Sequence, residues 1–241
     1  MTAAIKANPI PFRQPMVLAL LAGEKTQTRR VIKPSTSLFN GGPWPPKGAL
    51  FYFGDAWVDA GPSFVGNPGP YLKLPYRVAG DDHEVVVRIY PRIQPGDMLW
   101  VKEAWSAPRR YDDLRPADLP EDVIISPLAD GREIGRRRAA MYMPQRVSRL
   151  SLAVTTVRIH RIQDISEEDI WAEGIRPQPS GEYLDYSDDS WDARIACPRA
   201  AFKTLWDRLH AKAPWRRWAA NPWVFAYSFA MHERNLLDAL R

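Results

Sequence analysis

The most persistent alternation of apolar and polar positions lies in RLSLAVTTVRIHRIQDI, where Leu150, Leu152, Val154, Val157 and Ile159 mark one face of a strand. The alternation slips near Thr155 and Thr156, which predicts a β-bulge. The period then changes in ISEEDIWAEGI. Ser166 is an N-cap, Asp169 stands in capping-box position, Ile165 and Ile170 occupy the two staple positions, and Gly174 can end the helix. Nearer the start, Pro15 opens a short helix with Met16 and Leu20 at i, i+4 and Val17 and Leu21 beside them. Gly23 supplies a left-handed cap, so residues 25–30 leave that helix and enter a strand at TRRVI. CPRAAFKTLWDRLHAK is the best amphipathic helix, with Ala201, Leu205 and Leu209 on one face and Phe202 and Trp206 beside it. HEVVVRIY, the QPGDMLWVKEAW segment after its turn at Pro95, Gly96 and Asp97, and NPWVFAYSF read as further strands.

Between these elements lie stretches at about 38–80, 106–138 and 176–196 that are rich in Pro, Gly or charge and carry no core periodicity. They read as long insertions in a single domain spanning 1–241, the first holding a hairpin at 49–58. The 23 prolines agree with many connections, and the whole pattern predicts an α+β, mainly β fold rather than a helical bundle or a regular βαβ alternation. A net charge of +5 favours anionic partners. With Cys197 as the single cysteine, no intramolecular disulfide can form, and a reducing cytoplasm is the expected compartment. The run MVLALLA is too short to span a bilayer, and the N-terminus lacks the apolar core of a signal peptide, so no membrane partner is expected. No P-loop or dinucleotide fingerprint occurs, and His83, His160, His210 and His232 lack zinc spacing; neither a metal nor a cofactor is expected.

Three groups of residues carry candidate chemistry. Glu167, Glu168 and Asp169 sit in the first turn of their helix, where the dipole favours carboxylates; Glu173 sits in the last turn, where it is disfavoured by about 0.3–1 kcal/mol. A cation nearby would offset that, and a solvated surface Glu is the alternative. Lys25 and Thr28 are three residues apart just past a helix end, so a turn can bring both side chains to one place. A lysine there can lower the cost of deprotonating the hydroxyl; a solvated polar turn is the alternative. Arg132, Arg136, Arg137, Arg138, Arg146 and Arg149, with Tyr142 among them, suit phosphate contact and base stacking, or form a solvated basic loop.

Taken together, MVLALLAGEKTQTRRVIKP, PGDMLWVKEAW, and VTTVRIHRIQDISEEDIWAEGI followed by FKTLWDRL and NPWVFAYSF resemble the ASCH domain family, in particular its longer phage and prophage members. The resemblance implies a PUA-like small β-barrel with flanking short helices and a cleft at one mouth. It also implies RNA or modified-nucleoside chemistry. Small ASCH amidohydrolases deacetylate N4-acetylcytidine with a Lys, a Thr three residues later and a Glu near the end of the helix after the long strand. The matching residues are Lys25, Thr28 and Glu173, with Arg29 or Arg30 as the following basic residue; Arg29, Arg30, Arg146, Arg149 and Tyr142 become candidate substrate-binding residues. This chain is much longer than those enzymes, which leaves open a free nucleoside or a nucleic acid as partner. An RNA or modified-nucleic-acid binding module, a ribonuclease, and a non-catalytic phage accessory protein are the alternative readings.

Overall fold

A computed structural model describes residues 6–32, 49–51, 57–59, 70–78, 84–187 and 193–236. In chain order it opens with strand β1 (Ala7–Pro11), helix α1 (Gln14–Leu21) and strand β2 (Gln27–Val31). Strands β3 (Ala49–Phe51), β4 (Trp57–Asp59), β5 (Tyr71–Val78) and β6 (Glu84–Ile89) follow. Next come β7 (Met98–Lys102), β8 (Trp105–Ser106), β9 (Ser126–Pro127), β10 (Arg137–Arg138) and the long β11 (Ser151–Arg161). Helix α2 (Glu167–Ala172), β12 (Tyr183–Leu184), β13 (Arg194–Ile195), helix α3 (Pro198–Leu209) and β14 (Trp223–His232) complete the course. The described residues thus form a mainly β, α+β fold, as the hydrophobic pattern predicts. Among them no helix is long and apolar enough to cross a membrane.

The sheet that positions the site runs β1-β7-β11-β14-β2. β1 lies parallel to β7, and the remaining pairings are antiparallel. The bulge expected in β11 falls between Val154 and Thr156. Strict alternation would continue the face of Leu152 and Val154 with Thr156 and Arg158. The extra residue instead brings Val157 and Ile159 into the core and turns Arg158 to the other face. β14 is covered on both faces: Phe225, Tyr227 and Phe229 join the main core, while Val224 joins the cluster beneath α2 and α3.

β1 and β2 are the outer strands of this sheet, yet side chains connect them. Arg30 Nη2 donates to the Pro11 carbonyl at 3.1 Å. The Phe12 ring lies 5.6 Å from the Lys25 amine and 5.4 Å from the Arg30 guanidinium. The sheet therefore curls until its edges meet through side chains. Among the described residues no sheet closes into a hydrogen-bonded barrel.

Three expectations are corrected. The strands of the expected 49–58 hairpin do not pair with each other: β3 and β4 both run antiparallel to β5, and β6 also pairs with β5. Residues 52–56, and much of the 38–80 stretch, lie outside the described residues. The polar 106–138 stretch is built around the small sheet β10-β8-β9 and a cluster of Trp105, Ala107, Leu119 and Met143. In α3 the buried residues are Ala201, Phe202 and Trp206; Leu205 and Leu209 are half-buried because they border a cavity.

Candidate functional site

The site begins where two helices end. Past α1, Gly23 takes a left-handed φ of 71°, and the N–H groups of Glu24 and Lys25 both donate to the Ala19 carbonyl, at 2.9 and 3.0 Å. Lys25 then forms an isolated antiparallel bridge with Glu173, the C-cap of α2. The Thr26 N–H donates to the Ala172 carbonyl at 2.8 Å. Gly174 permits this approach. Its φ is 92°, and a Cβ there would lie 3.0 Å from Ala19 Cβ and 3.3 Å from Lys25 Cβ. Gly174→Ala is expected to cost about 1–3 kcal/mol from backbone strain and crowding. Urea denaturation measures it, and an unchanged midpoint would contradict the packing.

The charges are joined into one cluster, buried except at Arg158. Lys25 Nζ lies 2.6 Å from Glu173 Oε2 and donates to the Glu173 carbonyl at 2.9 Å. Arg29 reaches Glu173 Oε1 with Nη1 at 3.0 Å and Asp169 Oδ2 with Nη2 at 2.7 Å. Glu173 and Asp169 are four residues apart on one face of α2, which lets a single guanidinium span both. Arg158, turned outward by the bulge, pairs with Asp169 Oδ1 at 2.5 Å. Three cations thus face two carboxylates, and the dipole penalty at Glu173 is offset by Lys25 and Arg29. Asp169 does not complete a reciprocal capping box: its backbone N–H donates to Ser166 Oγ at 3.1 Å, while its carboxylate is taken by the arginines.

Burial alone would push the Glu173 carboxyl up, but Lys25 and Arg29 outweigh it and hold the group below the ordinary carboxylate range. Asp169 behaves alike: burial raises it, and Arg158 and Arg29 bring it lower. Burial pulls the Lys25 amine below the ordinary lysine value, with Glu173 opposing and Arg30 and Arg29 adding to the fall. Lowered carboxylates add stability above the unfolded carboxylate range, and lose it as pH falls through their folded values. A lowered lysine subtracts stability while the unfolded chain keeps its proton, a deficit that disappears as pH rises toward 10.5. At all three groups stability therefore climbs with pH. Thermal unfolding across pH 3–9 is expected to show the steepest loss below about pH 4, with a shallower acid limb in Glu173→Gln.

Above the cluster lies a cavity of about 290 Å³ whose wall includes Thr28, Arg29, Arg30 and Glu173, with Phe12 and Trp206 as aromatic faces. Thr28 sits on β2 in register with Tyr227 and is 4% exposed. Its hydroxyl makes no hydrogen bond among the described residues, whereas Lys25 is 1% exposed and lies behind the wall. The Arg29 Nε–H is buried with no partner among the described residues.

Of the residues selected from sequence, Lys25, Thr28, Arg29, Arg30 and Glu173 are brought together here. Arg146 and Arg149 are not. Arg146 donates to the carbonyls of Leu119 and Pro120, at 2.9 and 3.0 Å, and Arg149 pairs with buried Glu103 and with Asp130. Tyr142 lines a different cavity. Sequence reasoning missed Phe12, Arg158 and His210. Phe12 lies in an arm without periodicity, Arg158 depends on the bulge, and His210 joins the wall at the end of α3, its ring 4.5 Å from that of Trp206. Among the described residues no group of three His, Cys, Asp or Glu side chains could hold a metal. Comparison with protein-family models, curated proteins and solved structures finds no match to this chain.

Proposed function

We propose that this chain is a PUA-like protein of the ASCH type and an amidohydrolase that deacylates an N4-acylated cytosine, in the most concrete case N4-acetylcytidine. One observation carries the reading: Glu173 lines a cavity with Thr28 while gripping Lys25 at 2.6 Å, although Lys25 and Glu173 are 148 residues apart in sequence. The curled sheet, with its outer strands joined by Arg30 and Phe12, supports the barrel-like part of the proposal.

In this reading Lys25 acts as the neutral amine that burial favours, and the Glu173 carboxylate orients it across their short contact. The amine accepts the Thr28 hydroxyl proton as Oγ bonds to the acyl carbonyl carbon. The carbon–nitrogen bond breaks and the cytosine amine departs with a proton. Water then cleaves the Thr28 ester, releasing the carboxylic acid and restoring the hydroxyl. The unpartnered Arg29 Nε–H is a donor for the carbonyl oxygen as its charge grows. Among the described residues Lys25 donates to Glu173 and not to Thr28; in this reading their contact forms with substrate in place.

The test is acetate release from N4-acetylcytidine by purified protein. Turnover that disappears in Lys25→Ala supports the reading; no turnover, or turnover unchanged in that variant, removes it. A second reading, a nucleic-acid binding module without chemistry, is favoured by the burial of Lys25 and the occupation of both Glu173 oxygens by cations. It requires nucleoside or strand binding with no hydrolysis.

A further inference from the structure

Two cavities flank the turn at Ala140–Tyr142. Ala140 belongs to the wall of the Thr28 cavity, and Ala139 and Tyr142 belong to a second, open cup of about 370 Å³ with Arg136, Arg137 and Arg138. We infer that the substrate is a single-stranded nucleic acid, held by Arg136, Arg137 and Tyr142 while its target base occupies the Thr28 cavity. The inference rests on the amidohydrolase reading for the chemistry at the base; the binding is measured independently.

The arginine strand is firmly seated rather than loose. A Cβ on Gly135 would lie 2.1 Å from the Ala107 carbonyl oxygen and 3.0 Å from the Arg109 nitrogen, so only glycine lets the chain sit there. Beyond it, Arg138 is buried, donates to the carbonyls of Tyr111 at 2.7 Å and Leu114 at 2.9 Å, and stacks 5.3 Å over the Trp105 ring. Its Nε–H is buried without a partner among the described residues. Arg136 and Arg137 lie between these two anchors and are both exposed. Such fixing lowers the ordering cost of a bound ligand.

The charges in the cup remain available. Arg136 makes no ion pair among the described residues. Arg137 meets Glu133 at 3.3 Å, but both partners are exposed, and a pair of that kind is worth little and exchanges easily for phosphate. Two carboxylates, Asp112 and Asp113, also line the cup and oppose an anion, with the Arg136 backbone N–H donating to Asp112 at 2.7 Å. Tyr142 is 59% exposed on the adjoining turn and offers a ring face to a base. Arginines beside an open aromatic ring match a phosphodiester strand, whose backbone supplies the anions and whose bases stack.

The experiment is fluorescence anisotropy with labelled RNA and DNA oligonucleotides of about 12 nucleotides, across a salt series. Wild-type protein is expected to bind, with affinity falling as salt rises. The double variant Arg136→Gln/Arg137→Gln should bind about tenfold more weakly and lower the salt slope by about 1.4, from about 0.7 per phosphate contact. Tyr142→Ala should bind about tenfold more weakly with the slope unchanged. Lys203→Gln/Lys212→Gln, which removes the same charge elsewhere, should stay within about twofold. A preference for RNA or DNA supports the inference and names the sugar. Absence of binding to both, or equal weakening by the two double variants, overturns it. Nucleoside turnover without strand binding removes this inference and leaves the amidohydrolase. Strand binding that depends on Arg136 and Arg137, with no deacylation of a strand carrying N4-acetylcytidine, removes the amidohydrolase and overturns the strand's role as substrate, leaving it as a ligand.

Discussion

Glu173→Ala is expected to lower stability by about 3–5 kcal/mol at neutral pH, the loss that follows when one member of a buried ion pair is removed. Lys25 would keep only the residue-173 carbonyl as a polar partner, and Arg29 only Asp169 and Gln27. Lys25 would then be a buried cation with no carboxylate in contact, while Arg29 shares Asp169 with Arg158. The loss should shrink as pH is raised toward 10, because Lys25 can escape by giving up its proton and burial already favours that. Lys25→Met should cost less, since Glu173 keeps Arg29 at 3.0 Å. Urea denaturation at pH 7 and pH 9.5 separates these cases. A pH-independent loss would show that Lys25 is not the group left stranded.

Thr28→Val is expected to reduce turnover of an N4-acylated cytosine by about 10²–10⁴-fold while leaving the unfolding midpoint nearly unchanged. The hydroxyl makes no hydrogen bond among the described residues, so the fold does not depend on it, and valine keeps the side chain's shape in the wall. This variant is more diagnostic than any change at Lys25, whose removal disturbs chemistry and folding together. Steady-state kinetics alongside thermal unfolding decide the matter. Full activity in Thr28→Val would reduce Thr28 to a wall residue and end the nucleophile assignment.

Local rules reached part of the charge cluster. Glu173 was legible because it contradicts the helix dipole, and a contradiction points to a partner elsewhere. Asp169 was hidden for the opposite reason: a carboxylate in the first turn satisfies both the dipole and the capping pattern, so nothing about it asks for Arg29 or Arg158. Periodicity likewise found β11, its bulge and β14, since each has one face or more in the core. It could not show that the bulge aims Arg158 at α2. The basic run misled at Arg146 and Arg149, whose partners lie at residues 103 and 119–130 and are chosen by tertiary packing. The hairpin at 49–58 failed because adjacency in sequence does not decide which strand a third one attracts.

The position of β2 also sets the order in which the molecule can be made. Among the described residues β2 joins the main sheet only through β14, and the Phe229 N–H donates to the Thr26 carbonyl at 2.9 Å. As a ribosome delivers the chain, Lys25 and Thr28 emerge long before β14, the strand beside β2, exists. Contacts of such sequence separation form late and slowly. A nascent chain halted before residue 223 holds the lysine and threonine but has no strand on which to hang them, so the pocket wall around Thr28 cannot form until β14 is delivered.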